Sequence, residues 1–197
     1  MKNLRLAFLP LLLAMLASVS CASDTSSYAS EVMDPLYWKN QALKDIIPFW
    51  ERSIDEEDAG FYTEINEDGT PWGPGKKYPR MNSRILFGFS VAYMLSGDDK
   101  YLKYAAHAMK YLSEYGYDRK FGGWHTYTDE NNEPDTGEKN LFDQTYGNLG
   151  PVIYFMATGN KEALSLVSAT HKLMREKAWD KKYGGYYPVS NELLADS

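Results

Sequence analysis

Three stretches of this chain are variants of one another: Asp55-Glu56-Glu57-Asp58-Ala59-Gly60-Phe61-Tyr62, Asp118-Arg119-Lys120-Phe121-Gly122-Gly123-Trp124-His125 and Asp180-Lys181-Lys182-Tyr183-Gly184-Gly185-Tyr186-Tyr187. Each runs from an aspartate through three residues to a small residue and a glycine, followed by two ring-bearing side chains, and the copies lie 63 and 62 residues apart. The offset continues outside the loops. Lys77 and Lys139, Arg84 and Tyr146, and the turns Ser96-Gly97-Asp98 and Thr158-Gly159-Asn160 are all 62 apart. Agreement at several separate places marks one repeated structural unit.

Apolar residues inside the unit recur at helical spacing. Ile85, Phe89, Ala92 and Leu95 form one stripe, Gly97-Asp98 breaks and recaps the chain, and Tyr101, Leu102, Ala105, Met109 and Leu112 form a second stripe ending near Gly116. The next unit repeats this with Val152 to Ala157, then Gly159-Asn160, then Leu164, Val167 and Met174. Each unit is therefore predicted to be a helical hairpin. A first helix is expected over Pro35 to Ser53, kinked or broken at Pro48. Segments such as Gly122 to Lys139, with alternating Trp124, Thr126 and Thr128 and the turn formers Asn131, Asn132 and Pro134, predict short two-stranded loops. A lone hairpin cannot bury its own apolar stripe, so the copies must stack or close into a ring. The long Gly-Gly loops then gather at one end around the starts of the inner helices, where binding is expected.

Composition narrows the function. The 197 residues are 44% apolar and 24% charged, an ordinary globular balance, and 27 acidic against 21 basic residues give a net charge of −6. No stretch concentrates Lys and Arg as phosphate neutralisation requires, which argues against a nucleic-acid partner. The aromatic content of 15% leans toward carbohydrate, because ring faces pack on the apolar faces of sugars. Lys2 and Arg5 followed by the apolar run Leu6 to Val19 predict a secretory signal over residues 1–20, too short for a stable transmembrane span. The lone cysteine follows in Ser18-Val19-Ser20-Cys21, and residues 21–35 form a polar tether. That arrangement resembles a bacterial lipoprotein signal in which Cys21 carries the lipid, the alternative being cleavage after Ala22. The expected location is the bacterial cell envelope or periplasm, with contact to a membrane only through Cys21. Residues 36–197 are left as the repeat domain.

Asn82-Ser83-Arg84-Ile85-Leu86-Phe87-x-Phe89, Ile47-Pro48-Phe49-Trp50, Lys139-x-x-Phe142-Asp143-Gln144-x-Tyr146 and Thr158 to Leu164 together resemble the N-acylglucosamine 2-epimerase and cellobiose 2-epimerase family, across essentially all of Trp38 to Tyr187. The resemblance implies an all-α fold, the (α/α)6 barrel of six helical hairpins, with short β-hairpin loops at one end. It implies a small carbohydrate substrate, a reducing mono- or disaccharide of glucose, mannose or N-acetylglucosamine type, and proton removal and return at the sugar's C2 without a cofactor. Arg84 takes the place of an arginine that contacts sugar oxygens, Asn82 belongs to the same motif, and Phe87 takes the place of an aromatic that lines the site. Phe142 and Asp143 stand where the family has Tyr and Asn, so a hydroxyl is lost and a carboxylate gained, with Tyr146 one turn further on. Residues 36–197 hold about 2.6 units of 62 residues where the barrel has six, which is about its first half. The family's catalytic histidines would fall beyond Ser197, so residues 1–197 are expected to be inactive and poorly stable alone, with Val152 and Leu164 half covered.

The remaining candidates were weighed by residue type. A guanidinium at Arg84 can hold a sugar oxygen and stabilise an enediolate as charge develops; the competing reading is a surface ion pair. His125 follows the Gly-Gly turn at the expected mouth and is a candidate substrate contact. His107 is expected on a solvated helix face and His171 at the edge of the core. The acidic run Asp55 to Asp58 is expected to be a solvated loop, and no metal site is expected, because no His-x-x-x-His or cysteine pair exists. Two alternatives stand beside the epimerase: an (α/α)6 glycoside hydrolase using Asp143 as one of its two carboxylates, and a non-catalytic glycan-binding lipoprotein completed as a homodimer.

Overall fold

In the computed structural model the described residues are 30–73, 75–134 and 139–187. The signal segment, Cys21 and most of the tether lie outside them. The chain divides into two compact units, Met1–Gln41 and Ala42–Ser197. In the first, residues 30–32 are helical. Asp34 then caps helix α1, Pro35–Asn40, by accepting the Leu36 N–H at 2.9 Å, and the Trp38 indole donates to the Val32 carbonyl at 2.8 Å.

A π-helical turn, Gln41–Ile46, leads into α2, Ile47–Glu51. The single helix expected over Pro35 to Ser53 is thus split. The widened turn directly precedes the proline, whose ring and missing N–H a regular α-turn tolerates poorly. The rest of the second unit is two helical hairpins, α3 (Pro79–Ser96) with α4 (Asp99–Tyr111), and α5 (Leu141–Thr158) with α6 (Lys161–Lys177). Gly97 and Gly159 both end their helices in the left-handed region at φ 72°, where a side chain would be strained. Asp98, Asn140 and Asn160 then cap α4, α5 and α6.

The principal packing is α3 against α5, and Gly150 permits it, while Gly147 makes room on α5 for the Trp124 side chain. The Gly150 N–H donates to Ser83 Oγ at 2.8 Å, and a Cβ on Gly150 would lie 2.1 Å from the Ser83 carbonyl oxygen. A Cβ on Gly147 would lie 2.4 Å from the Trp124 indole. Around this contact Phe61 stacks on Phe89 at 5.3 Å, Phe89 stacks on Tyr104 at 4.9 Å, and Leu86, Tyr111, Leu112 and Trp124 are fully buried.

Each loop before an inner helix is clamped twice, in the same way in both units. Lys77 Nζ reaches Asp55 Oδ2 at 2.6 Å and the Ala59 carbonyl at 3.1 Å; Lys139 Nζ reaches Asp118 Oδ2 at 2.5 Å and the Gly122 carbonyl at 2.7 Å. The second clamp is an amide. Asn82 accepts from the Phe61 N–H at 2.8 Å and donates to the Phe61 carbonyl at 3.1 Å, and Gln144 does the same for Trp124 at 2.6 and 2.8 Å. The two-stranded loop expected over Gly122 to Lys139 is reduced to isolated antiparallel bridges of Thr128 with Pro134 and with Lys77, and the Gly-containing turns are closed by the single bridges Ile54 with Phe61 and Tyr117 with Trp124. Glycines at positive φ reverse the chain within a few residues, and side chains supply the ordering that a ladder would.

These clamps also revise two expectations. The acidic run is not uniformly solvated: Asp55 is buried against Lys77, and Asp58 accepts from Asn132. His107 is half-buried with Nε2 2.9 Å from the Asp55 carbonyl oxygen, whereas His171 is exposed, not at the core edge.

Burial alone would raise the carboxyls of Asp55 and Asp118, but the Lys77 and Lys139 ammonium groups with nearby backbone N–H donors outweigh it and hold both below the usual carboxylate range. Their contribution is complete above the unfolded value of about 3.9 and is lost as the pH falls through the lower folded values. Urea denaturation across pH should show a stability plateau above about pH 5 and a fall below about pH 4. Lys77→Met should cost about 3–5 kcal/mol at neutral pH, shrinking in acid as Asp55 protonates. Gly150→Ala should cost about 1–3 kcal/mol or more by forcing α3 and α5 apart. Gly159→Ala, with nothing within 4 Å of its added Cβ, should cost about 1 kcal/mol from backbone strain alone.

Candidate functional site

Arg84 lies near the start of α3, seven residues after Lys77, and Tyr146 lies seven residues after Lys139 on α5. The close α3–α5 packing brings these equivalent positions together, with the Arg84 guanidinium 5.4 Å from the centre of the Tyr146 ring. Phe142, one turn earlier on α5, packs on Tyr146 at 4.5 Å and remains 57% exposed. Arg84 is itself exposed, and its only polar neighbour on its own helix is a long contact from Nη1 to Met81 Sδ at 3.9 Å. On its other side Arg84 borders a cleft of about 340 Å³ lined by Ile47, Trp50, Met81, Ile85 and Phe89. An exposed cation thus borders both an aromatic pair and an apolar cleft that carries a tryptophan. Aromatic faces can receive the C–H faces of a sugar ring while a guanidinium forks onto its oxygens.

Three other predicted contacts sit differently. Asn82 is fully buried, and both ends of its amide are engaged by the Phe61 backbone. Asp143 is 1% exposed and turned into the helix packing: Oδ1 accepts from Arg80 Nη1 at 2.9 Å and Oδ2 from Asn140 Nδ2 at 2.7 Å. Both residues therefore serve the fold in place of facing a ligand. A burial cost for the Asp143 carboxylate is offset by an arginine and a side-chain amide. His125 is half-buried and holds its loop through its backbone N–H, 3.0 Å from the Gly116 carbonyl, at the repeat position of Tyr62 and Tyr187. Phe87 is half-buried on α3, one turn beyond Arg84.

The sequence reading missed Trp50 as a cleft residue, Arg80 as the partner of Asp143, and the amide clamps. The clamps were detectable, since Asn82 and Gln144 obey the same 62-residue offset as the lysines. Trp50 lay in a family-like stretch, Ile47 to Trp50, but its place beside α3 is set by packing. Among the described residues no group of three or more His, Cys, Asp or Glu side chains could hold a metal ion, and no helix is long and apolar enough to cross a membrane.

Comparison with known proteins fits this geometry. A cellobiose 2-epimerase of Eubacterium cellulosolvens is 30% identical over 165 residues, which is 80% of this chain and 40% of that protein. The structure of a cellobiose 2-epimerase from Spirochaeta thermophila superposes with a TM-score of 0.74 at 28% identity, over 80% of this chain and 39% of the other. A family 76 glycoside hydrolase (mannosidase) of Bacteroides thetaiotaomicron shares the fold at TM-score 0.59 and 18% identity, over 79% of this chain and 40% of that one. The chain thus spans about 40% of the length of the curated relatives it matches, and its helical hairpins are those of the (α/α)6 class. The sequence profile of N-acylglucosamine 2-epimerase (GlcNAc 2-epimerase) matches residues 60–193, more than half of the chain, and the protein belongs to that family.

Proposed function

We propose that this chain holds a small reducing sugar for epimerisation or isomerisation at C2. The observation that carries the reading is the exposed Arg84 guanidinium over Tyr146, beside the exposed Phe142. In this reading the sugar ring rests on Phe142 and Tyr146 while Arg84 donates to its oxygens. When the C2 proton is removed, negative charge moves onto the neighbouring carbonyl oxygen, and a guanidinium already aimed at that oxygen binds the enediolate more strongly than the ground-state sugar. Arg84 is thus assigned charge stabilisation, the aromatic pair and the Trp50 cleft are assigned ring binding, and no proton-transfer group is assigned. The names of the epimerase relatives support the reaction class. Export into the cell envelope, directed by the basic and apolar first 20 residues, with lipid on Cys21, belongs to the same proposal.

The hydrolase reading rests on likeness of fold and would need an accessible carboxylate, whereas Asp143 is buried with both oxygens engaged. Titration calorimetry with mannose and cellobiose should show Arg84→Ala weakening binding by about tenfold or more, the loss of a charge-assisted hydrogen bond. Phe142→Ala should weaken it as well. Incubation in D2O, followed by NMR, separates the two enzyme classes: deuterium entering at C2 supports the epimerase, and new reducing ends support the hydrolase.

A further inference from the structure

The chain enters α3 across one rung of antiparallel pairing. Lys77 and Thr128 exchange both backbone hydrogen bonds, at 3.0 and 2.8 Å, and both residues are buried, 2% and 0% exposed. Residues flanking such a rung face the opposite way, so Lys76, Tyr78 and Tyr127 share the outward face. Tyr78 stands across from Tyr127 with ring centres 6.0 Å apart, and Lys76 reaches diagonally until its Nζ lies 3.9 Å from the Tyr127 ring centre. From Tyr78 the contacts continue into the helix. The Arg80 guanidinium lies 4.6 Å from the Tyr78 ring centre and binds Asp143, the neighbour of Phe142, and Arg84 follows one turn later. One run of cations and rings thus joins Lys76 to the candidate site. From Tyr78 to Arg84 it spans about 9 Å of helix rise, room for two linked sugar rings.

The charges along this run are not evenly compensated. Residues 76–84 hold Lys76, Lys77, Arg80 and Arg84 and no acid, in a chain whose net charge is −6. Asp55 neutralises Lys77, and Asp143 neutralises Arg80. Lys76 and Arg84 are both exposed, and among the described residues neither has a carboxylate partner. The nearby acids are gathered elsewhere: Asp55, Glu57, Asp58 and Glu130 line a separate cavity of about 350 Å³ with Lys77, whose side chain alternates away from that of Lys76. A neutral sugar needs one guanidinium on its oxygens. A second unpaired cation stands at the far end of the run, held on an aromatic face with little side-chain freedom left to lose, and its natural partner is an anion.

We propose that Lys76, Tyr78 and Tyr127 form a second subsite for an acidic sugar, so that the ligand is a disaccharide with a hexuronic acid joined to the reducing unit. The proposal rests on the reading of Arg84 as the group that holds the reducing unit. The outer ring then lies along Tyr78 and Tyr127, and its carboxylate pairs with the Lys76 ammonium. A single ammonium, a compact point charge, matches a singly charged carboxylate.

Titration calorimetry on the full chain tests this by comparing cellobiose with glucuronosyl-β-1,4-glucose, which differs only in the carboxylate on the outer ring. The acidic sugar should bind about fivefold or more tightly at low salt, the worth of one ion pair, and the advantage should shrink as salt is raised. Lys76→Met should abolish the advantage and Lys76→Arg should keep it, while Lys103→Met, which removes an exposed lysine on α4, should leave it intact. Equal affinities, tighter binding of cellobiose, or an advantage that survives Lys76→Met would each overturn the proposal. If in those cases Arg84→Ala still weakens cellobiose, the Arg84 reading stands and only the second subsite falls. If Arg84→Ala affects neither sugar while Lys76→Met removes the advantage, the Arg84 reading falls and the acidic subsite stands. Failure of both sugars to bind overturns both.

Discussion

The buried contact between Lys77 and Asp55, and its copy between Lys139 and Asp118, fixes where each inner helix begins. Each lysine stands two residues before its helix and reaches back to the loop before it, so loop and helix start move as one body. A charge pair this enclosed is costly to form, and further hydrogen bonds offset that cost: the ammonium also meets a backbone carbonyl, and the aspartate's other oxygen takes backbone N–H groups. Asn82 and Gln144 then close the far side of each loop from within the helix. A segment of glycines and polar residues that would otherwise fray is locked by side chains that an apolar core cannot provide.

From that constraint the candidate site follows by geometry. Arg84 and Tyr146 stand seven residues after their respective lysines, and the packing of α3 on α5 brings the two side chains together. The separation of those helices is set by Gly150, where a single added carbon would collide with the Ser83 backbone carbonyl. Close approach turns two equivalent positions into one cluster, a guanidinium over a ring with Phe142 beside it. The Arg80–Asp143 pair ties the starts of the same two helices together just beneath.

The resemblance implies Tyr and Asn where this chain has Phe142 and Asp143, and the structure shows what the two residues do here. Phe142, with no hydroxyl, is an exposed apolar ring, suited to stacking more than to hydrogen bonding. The carboxylate at position 143 gives Arg80 a buried partner and the Asn140 amide an acceptor, which links the starts of α3 and α5. The first residue therefore sets the character of the surface, and the second the cohesion of the scaffold.

The sequence by itself determined the repeat, the hairpins, the turns at Gly97 and Gly159 and the candidate arginine. Those features are local or periodic, written in spacing, capping residues and glycines that need a left-handed backbone. Only the tertiary structure decided which polar residues face inward. Asn82 and Asp143 lie in motif positions that invite a ligand, yet their partners Phe61 and Arg80 come from 21 and 63 residues away. Trp50 beside Arg84, and His107 on the Asp55 carbonyl, likewise depend on distant segments meeting. A helix periodicity gives the face on which a side chain lies, but what covers that face is set by the packing of other elements, and that packing separates a buried clamp from an open binding group.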